Sequence, residues 1–408
     1  MKVSKKDRNT ERMNIYKTQI SHSLELISLL MLSSSAVSPV LSEIGAAYPN
    51  VPETIVALLT TLPTLIAIPV TLITGRIIGI KIRYRTVIIW GIILNLVGGL
   101  MPIVTKTFEL LLVWRAILGL GTGFLTPVVV PIMMAVFQGK EIHIQASKNS
   151  VSTNIGAVAF QMFGGVLCAS LGWRGTFLVY SIFIPSLIII CTSMPEPQIK
   201  NVISKDTFTL LREGTKPVLK WYILYMVHML FFYVAITEMS KVVADSHFGN
   251  SSVTGIALSI ITVGGILGGI VYQWLYHFGA KTFSIAYTFL AVGYLIMQFS
   301  ASRMSLILGA FIVGIGFGIH MPAIQVAVGK DAEKNKRGEA AAVASVFASI
   351  GSFFSKFLMT AIVGLLGKQT GRASFGVCVV GYFMLAVIVL FLTSENEKIK
   401  FGCEIRKR

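Results

Sequence analysis

Two basic side chains interrupt long apolar runs of this sequence. Arg115 is the one charged residue between positions 110 and 136, and Lys356 lies about eighteen residues into another apolar run. A charge at the centre of a bilayer costs about 2.5–3.5 kcal/mol even on the gentlest insertion scale. Each cation must therefore face a partner, a water-lined cavity or the membrane surface. The chemistry open to such groups is binding of an anionic group or tuning of a nearby proton site.

The helical face that carries Arg115 is small and polar. Gly119, Thr122 and Thr126 follow Arg115 at spacings that place all four on one face. We therefore expect a water-lined face that includes Arg115 and Thr122. The alternative is that the arginine, about two turns into the membrane, extends outward to the surface.

Two polar stripes occupy corresponding helices in the two halves of the chain. They consist of Ser150, Asn154, Ala157 and Gln161, and of Ser345, Ser349, Ser352 and Lys356. Each set shares one helical face, and such stripes in both halves are what a central substrate cavity requires. We expect Asn154, Gln161 and Lys356 to line a pathway. The alternative for Lys356 is an ion pair with Glu238 that holds two helices together.

Four further side chains are candidates for a proton or substrate pathway. Glu25 follows Ser21 on a polar face of the first apolar run, where a carboxylate could load and release a proton near neutral pH. Its alternative role is to pair with lysines of the N-terminal tail. Tyr225 and His228 stand three residues apart in one run, and His320 lies in another. A membrane histidine either serves the pathway or makes only a hydrogen bond between helices.

Membrane-spanning helices must position these side chains. Of the 408 residues, 54% are hydrophobic and 13% charged, whereas a soluble domain is roughly 25% charged. A bilayer core needs about 20 residues of helix, and lipid offers no partner to an open strand. Twelve apolar segments are long enough, namely 20–44, 53–80, 86–105, 108–137, 146–170, 174–193, 220–243, 252–276, 282–300, 303–329, 338–366 and 373–393. We predict an all-α membrane protein with twelve transmembrane helices, here called spans one to twelve.

The basic residues predict how the chain crosses the membrane. An even number of spans places both termini on one side, and 27 of the 35 Lys and Arg residues fall there. Cytoplasmic loops carry the excess of Lys and Arg, so both termini are predicted to be cytoplasmic, in the plasma membrane. The net charge of +17 thus follows from topology and predicts no nucleic-acid partner. The apolar run that ends near Ala36 is interpreted as span one, not as a cleaved secretory signal.

The second half of the sequence repeats the first at an offset of 195 residues. The matching positions are Gly119 and Gly314, Gly121 and Gly316, Gly123 and Gly318, and Pro127 and Pro322. Small residues let membrane helices pack closely, and proline bends them. These positions are predicted to mark packing faces, with gating as the alternative.

The duplication predicts two pseudo-symmetric six-helix bundles and sets the domain boundaries. We expect a cytoplasmic tail over 1–19, a bundle over 20–193, a cytoplasmic linker over 194–219, a second bundle over 220–393 and a cytoplasmic tail over 394–408.

Several motifs resemble those of the major facilitator superfamily of transporters. RAILGLG, from Arg115, resembles the R-x-x-x-G-x-G signature of span four, whose arginine is associated with proton coupling in drug/proton antiporters. GWRGTF from Gly172, MPEP from Met194 and KRGEA from Lys336 resemble further motifs of the family. The resemblance implies the twelve-helix fold, rocking of two bundles about a central site, and a role for Arg115 in tuning a proton site.

The expected function is proton-coupled efflux of an amphipathic or drug-like small molecule by a monomer without a cofactor. Uptake or exchange of a small organic anion is the alternative. The spans contain the two cations Arg115 and Lys356 and few carboxylates, which suits a negatively charged substrate. Gly79 also stands where the family loop carries aspartate, and Phe160-Gln161 where antiporters carry Gly-Pro. A membrane-embedded enzyme or a non-transporting receptor is the alternative of another class. The six histidines, however, show no metal-ligand clustering, and no G-x-x-x-x-G-K-[ST] loop occurs.

Overall fold

The structure, a computed structural model, describes residues 5–138, 140–197, 218–279, 281–332, 337–369 and 371–405. Within these ranges the chain is helical, and its β structure is one bridge between Ile78 and Ile82. Eleven helices of the described chain are long and apolar enough to cross a membrane. The other predicted span, 282–300, is also a helix, Lys281–Gln298 of 18 residues. The predicted fold class is confirmed.

The chain divides into two compact units between residues 205 and 206. Each unit has a hydrophobic core of its own. The division falls inside the predicted linker, of which residues 198–217 lie outside the described residues. Lys336 of the KRGEA motif lies outside them too.

The N-terminal unit contains spans with interrupted helices. Its helices are Lys5–Leu30, Ser33–Val40 (a 3-10 helix), Leu41–Ala47, Glu53–Val56, Leu58–Ile77, Tyr84–Leu100, Met101–Val104 (3-10), Phe108–Leu125, Val129–Val136, Lys140–Leu171, Trp173–Ile182 (3-10) and Phe183–Ser193. Span one is therefore not the continuous α-helix that we predicted over 20–44. The 3-10 segment contains Pro39, which has no N–H to donate to an α-helical ladder. Span four is likewise divided after Leu125, next to Pro127.

The C-terminal unit contains more regular spans. Its described helices are Leu219–Asp245, Ser251–Leu275, Tyr276–Phe278 (3-10), Lys281–Gln298, Arg303–Asp331, Arg337–Leu365 and Arg372–Ile405. Span ten continues through Pro322, whereas the matching Pro127 lies at a helix break. The duplicated prolines therefore have different effects on the backbone in the two units.

The duplicated glycines lie in helix contacts that repeat from one unit to the other. A Cβ atom on Gly119 would lie 2.6 Å from the carbonyl oxygen of Pro63 in span two, and one on Gly314 would meet the carbonyl of Ile261 in span eight. The other pairs correspond in the same way: Gly121 faces Asn95 of span three and Gly316 faces Leu290 of span nine, while Gly123 faces Val70 of span two and Gly318 faces Gly265 of span eight. These contacts agree with the packing role predicted for the glycines, and gating remains a prediction.

Candidate functional site

Arg115 joins three spans of the N-terminal unit. Its Nε donates a hydrogen bond to the carbonyl of Leu59 in span two at 2.6 Å, and its Nη2 donates to the carbonyl of Ser34 in span one at 2.9 Å. Its Nη1 donates to the hydroxyl of Tyr180 in span six at 2.8 Å. The side chain has no exposed surface. The guanidinium therefore links spans one, two and six. Arg115 and its three acceptors, in Leu59, Ser34 and Tyr180, form a hydrogen-bonded hub.

A proline within span two and the 3-10 segment of span one supply the two backbone acceptors for this arginine. Leu59 lies four residues before Pro63, so proline removes the N–H that would otherwise bond to the Leu59 carbonyl. Ser34 lies in the 3-10 segment of span one, where the α-helical ladder is interrupted. Irregular backbone at membrane depth must find its partners within the protein. The fork of five N–H donors of arginine suits several acceptors at once.

Tyr180 completes this hub, and the sequence reasoning missed it. Its hydroxyl accepts from Arg115 and donates to the carbonyl of Ser33 at 2.9 Å. The ring is fully buried and occupies the space beside Gly99 of span three, where a Cβ atom would collide with it. A tyrosine in an apolar span is the available signal, because a buried hydroxyl needs a hydrogen-bond partner.

Most of the face around Arg115 that is predicted to be water-lined packs against neighbouring spans, whereas Thr126 at its end is exposed. The neighbouring Gly119 packs on Pro63, and the hydroxyl of Thr122 lies 3.2 Å from Asn95 Oδ1 of span three. The cation is solvated by two backbone carbonyls and the Tyr180 hydroxyl. A role for Arg115 and Thr122 in transport remains a prediction.

Glu25 lies in a polar cluster at the end of span one that is predicted to be cytoplasmic. Its Oε1 lies 3.2 Å from Lys148 Nζ of the span-five helix and 3.0 Å from Ser21 Oγ. The tail lysine Lys17 instead pairs with Glu141 at 2.7 Å. Glu25 therefore pairs with a lysine of span five rather than with a lysine of the N-terminal tail. Its side chain is 26% exposed.

An open pocket of about 300 Å³ adjoins this cluster. Its lining includes Ser21, Lys148 and Gln145. Gln145 Oε1 lies 2.6 Å from Ser21 Oγ, and Gln145 Nε2 donates to Asn149 at 2.9 Å. Gln145 and Asn149 were missed, although their spacing of four residues places them on one helical face. The pocket provides water access to the partners of Glu25.

The stripe predicted on span five is only partly enclosed. Asn154 is half-buried and donates to the carbonyl of Ser150 at 2.9 Å, while Gln161 is buried. Whether they line a pathway remains a prediction.

Lys356 and Glu238 form an ion pair inside the C-terminal unit. Lys356 Nζ lies 2.6 Å from Glu238 Oε1, and the two side chains are 5% and 0% exposed. The other carboxylate oxygen accepts from the backbone N–H of Gly371 at 3.0 Å. The geometry is therefore that of the ion-pair alternative, which links span seven, span eleven and the start of span twelve. A substrate contact by Lys356 remains a prediction.

His228 and His320, which the sequence treats as separate candidates, are in direct contact. Their rings stack with centroids 3.7 Å apart and planes at 24°, and both are fully buried. Tyr382 Oη lies 3.2 Å from His228 Nδ1 and donates to the His228 carbonyl at 3.0 Å. Tyr225, the third candidate of this group, lies against His320 with ring centroids 6.0 Å apart. Sequence alone could not pair the histidines, because they lie on different spans.

The described residues contain no group of three or more His, Cys, Asp or Glu side chains that could hold a metal ion.

Comparisons with known proteins agree with this architecture. The sequence profile of the Major Facilitator Superfamily matches residues 26–355 and 221–402. The quinolone resistance protein NorB of Staphylococcus aureus strain MSSA476 is 29% identical over 174 residues, which are 43% of this chain and 34% of that protein. NorB of strain MW2 is 28% identical over the same length. The match thus spans about a third of the length of these relatives.

Solved structures show the same fold at low sequence identity. The nucleoside transporter NupG (D323A mutant) has a TM-score of 0.77 at 13% identity and covers 91% of this chain and 99% of its own. A bacterial homologue of the human lysosomal transporter Spinster, in an inward-facing and unoccupied conformation, has a TM-score of 0.71 at 16% identity. That match covers 93% of this chain and 97% of the other.

Proposed function

Because this chain belongs to the major facilitator superfamily and is a transporter rather than an enzyme, we propose that it exports a small amphipathic or drug-like molecule in exchange for protons. It would act in the plasma membrane as a monomer and by alternating access. Protons that enter down their gradient would drive the substrate outward.

The partners of the two intramembrane cations, Lys356 and Arg115, support one substrate class over the other. Lys356 is paired with Glu238 at 2.6 Å, and the fully buried Arg115 donates to three neutral acceptors. An organic anion would have to displace a carboxylate from Lys356 or several acceptors from Arg115, and uncovering a buried polar group is costly. This supports a neutral or cationic amphiphile over the organic-anion alternative.

The relatives support the same direction of transport. NorB is described as a quinolone resistance protein, and export of a toxic compound is a direct way to confer resistance. Because the match covers a third of NorB, it supports efflux as a class and no particular drug.

Glu25 is our candidate for a proton carrier in the N-terminal unit. Its carboxylate is partly exposed and lies beside Lys148 and an open pocket, so protons can reach it from water. In this proposal Arg115 contributes indirectly, because it holds spans one, two and six together around the first half of the pathway.

Transport by purified protein in liposomes with an acidic lumen tests the proposal. Ethidium serves as the lipophilic cation, a quinolone as the drug-like probe and carboxyfluorescein as the organic anion. We expect ethidium or the quinolone to accumulate in the lumen only while the pH gradient lasts, since protons leave as the substrate enters. Glu25→Gln should lower this accumulation at least several-fold. Glu141→Gln is the matched control, because that carboxylate is more exposed and pairs with the tail lysine Lys17.

Two outcomes would reject the proposal. Movement of carboxyfluorescein alone, without dependence on the pH gradient, would replace efflux by anion exchange. Accumulation of ethidium that survives collapse of the gradient with nigericin would exclude proton coupling.

A further inference from the structure

Four polar atoms around the stacked histidines lack a hydrogen-bond partner in the described chain. They are Nε2 of His228, Nδ1 and Nε2 of His320, and the hydroxyl of Tyr287. All three side chains are fully buried. A buried polar atom without a partner costs about 1–3 kcal/mol, so four of them in one place are unusual. Membrane interiors also lack bulk water that could serve them.

The stacked geometry keeps these atoms from satisfying one another. Rings that face each other at 3.7 Å direct their nitrogen atoms outward from the stack. The Tyr382 hydroxyl contacts Nδ1 and the backbone carbonyl of His228. Nε2 of the His228 ring has no partner among the described residues. His320 also has Tyr287 beside it, with ring centroids 5.5 Å apart. The free atoms therefore lie at the edges of neighbouring rings of spans seven, nine and ten, without a partner among the described residues.

Packing alone does not account for the two imidazoles. His228 stacks on Phe317, and His320 packs edge-on against Phe283. A phenylalanine at position 320 could continue these ring contacts without burying two polar atoms. An apolar replacement of similar shape is often neutral or stabilising at such a position. A polar pair that weakens local packing is typical of a functional site.

No carboxylate contacts the pair among the residues that the structure describes. The titratable side chains packed around the pair include Tyr225 of span seven, Tyr287 and Tyr294 of span nine, and Cys378 and Tyr382 of span twelve. Along span seven the nearest charge is Lys220, eight residues from His228, and it pairs with Asp331 at 2.9 Å. Glu238 and Lys356, of spans seven and eleven, are paired with each other. Glu238 also lies ten residues from His228 in the same helix, about 15 Å along its axis. Span eight places Tyr272 in its last turn, and span ten has Lys330 and Asp331 at its end.

A ligand of this histidine pair must be small, and it must bond to the lone pairs of ring nitrogens. A small cation meets both conditions. We propose that His228 and His320 together bind a single proton, carried on one ring at a time, with internal water that bridges the pair to Tyr287. The proton adds to a lone pair of one ring nitrogen and returns to water when it leaves, and no other bond changes. The faces of the surrounding aromatic rings stabilise the resulting cation. A second proton is excluded, because two imidazolium rings at this separation repel each other.

The link of this site to transport rests on the proposed function, whereas proton binding itself does not. In an antiporter the proton site must be empty when the substrate is exported and filled on the return. A histidine pair suits this task, because an imidazole can take up and release a proton while no other bond changes. The pair would be the proton site of the C-terminal unit, and Glu25 that of the N-terminal unit.

Ring-nitrogen NMR of the full-length protein, labelled with 15N-histidine in liposomes, tests proton binding without transport. Imidazole and imidazolium nitrogens have distinct shifts, and His228→Phe and His320→Phe assign the signals. We expect one of the two rings to become charged as the pH falls while its neighbour stays neutral. Two rings that stay neutral at every pH at which the protein is folded would overturn the proposal. So would two rings that both become charged.

Transport by the variants tests the coupling. His320→Phe should still let ethidium equilibrate down its gradient but should lose accumulation driven by the pH gradient. Tyr287→Phe should keep the fold and reduce that accumulation several-fold, while His277→Gln, an exposed histidine, should behave as wild type. Full proton-driven accumulation in His320→Phe would overturn the coupling role. If the wild type shows no such accumulation, the proposed function fails, and the NMR titration still decides whether the pair binds a proton.

Discussion

Arg115 Nε lies 2.6 Å from the carbonyl oxygen of Leu59, which is the carbonyl that Pro63 deprives of its helical donor. A proline in span two therefore creates an acceptor, and an arginine in span four fills it. The same relationship occurs once more in this unit, because Thr71 donates to the carbonyl of Gly123 at 3.2 Å and Gly123 lies four residues before Pro127. Intramembrane polar groups of the N-terminal unit thus donate to carbonyls that prolines deprive of a helical donor.

The first prediction is that Arg115 and Pro63 are energetically coupled. Arg115→Met leaves buried acceptors without a donor, at a cost of about 1–3 kcal/mol for each. Pro63→Ala restores the helical N–H to the Leu59 carbonyl, so the loss should be smaller in that background by about 1 kcal/mol. Unfolding of the four proteins in mixed micelles measures this double-mutant cycle. Strictly additive changes in the free energy of unfolding would mean that the hydrogen bond from Arg115 to the Leu59 carbonyl does not stabilise the protein.

The predictable part of this hub is the part that depends on local chain geometry. The sequence shows an arginine that needs partners, and Pro63 identifies Leu59 as a carbonyl without a donor. It does not show Tyr180 or Ser34, because these are brought to Arg115 by the packing of spans one and six. The 3-10 segment of span one, SSSAVSPV, was also missed, since a hydrophobic run indicates that a segment can cross the membrane but not which type of helix it forms.

The second prediction concerns Gly318, whose Cβ atom would collide with the carbonyl of Gly265. Gly318→Ala should destabilise the C-terminal unit by about 1–3 kcal/mol, because overpacking forces the helices apart. Gly329→Ala is the matched control, since Gly329 lies in the same helix and a Cβ atom there meets nothing within 4 Å. The control should be neutral or slightly stabilising because alanine favours helix. Melting temperatures of both variants in detergent measure the contrast, and equal effects would contradict the close packing of spans eight and ten.

The third prediction is that the pair of Glu25 and Lys148 matters for transport and little for stability. The side chains are 26% and 49% exposed, and such ion pairs contribute about 0–1 kcal/mol. Lys148→Gln should therefore leave the melting temperature nearly unchanged. It should nevertheless lower the proton-driven accumulation of ethidium, because it removes the lysine that lies 3.2 Å from the proposed proton carrier. Accumulation equal to that of the wild type would argue against a proton role for Glu25.

The internal repeat predicted which helices pack together but not which polar groups meet. Glycines 195 residues apart make equivalent contacts in each unit, since small residues at regular spacing determine close helix approach. The contact of His228 with His320 has no such signal, because neither residue has a histidine as its repeat partner. Polar contacts between distant spans depend on helix rotation, which hydrophobic patterns specify only coarsely.

The fourth prediction separates the two roles of Lys356. Lys356→Met removes the cation that lies 2.6 Å from Glu238 in a site with no exposed surface, and breaking such a buried ion pair should cost about 3–5 kcal/mol. Adding Glu238→Gln removes the carboxylate and keeps an acceptor for the Gly371 N–H, so the double variant should recover much of the stability. If the pair is structural, the double variant should also recover most of the proton-driven accumulation of ethidium. A double variant that is stable but does not transport would instead show that Lys356 or Glu238 acts directly in the pathway, as the polar stripe on span eleven predicts.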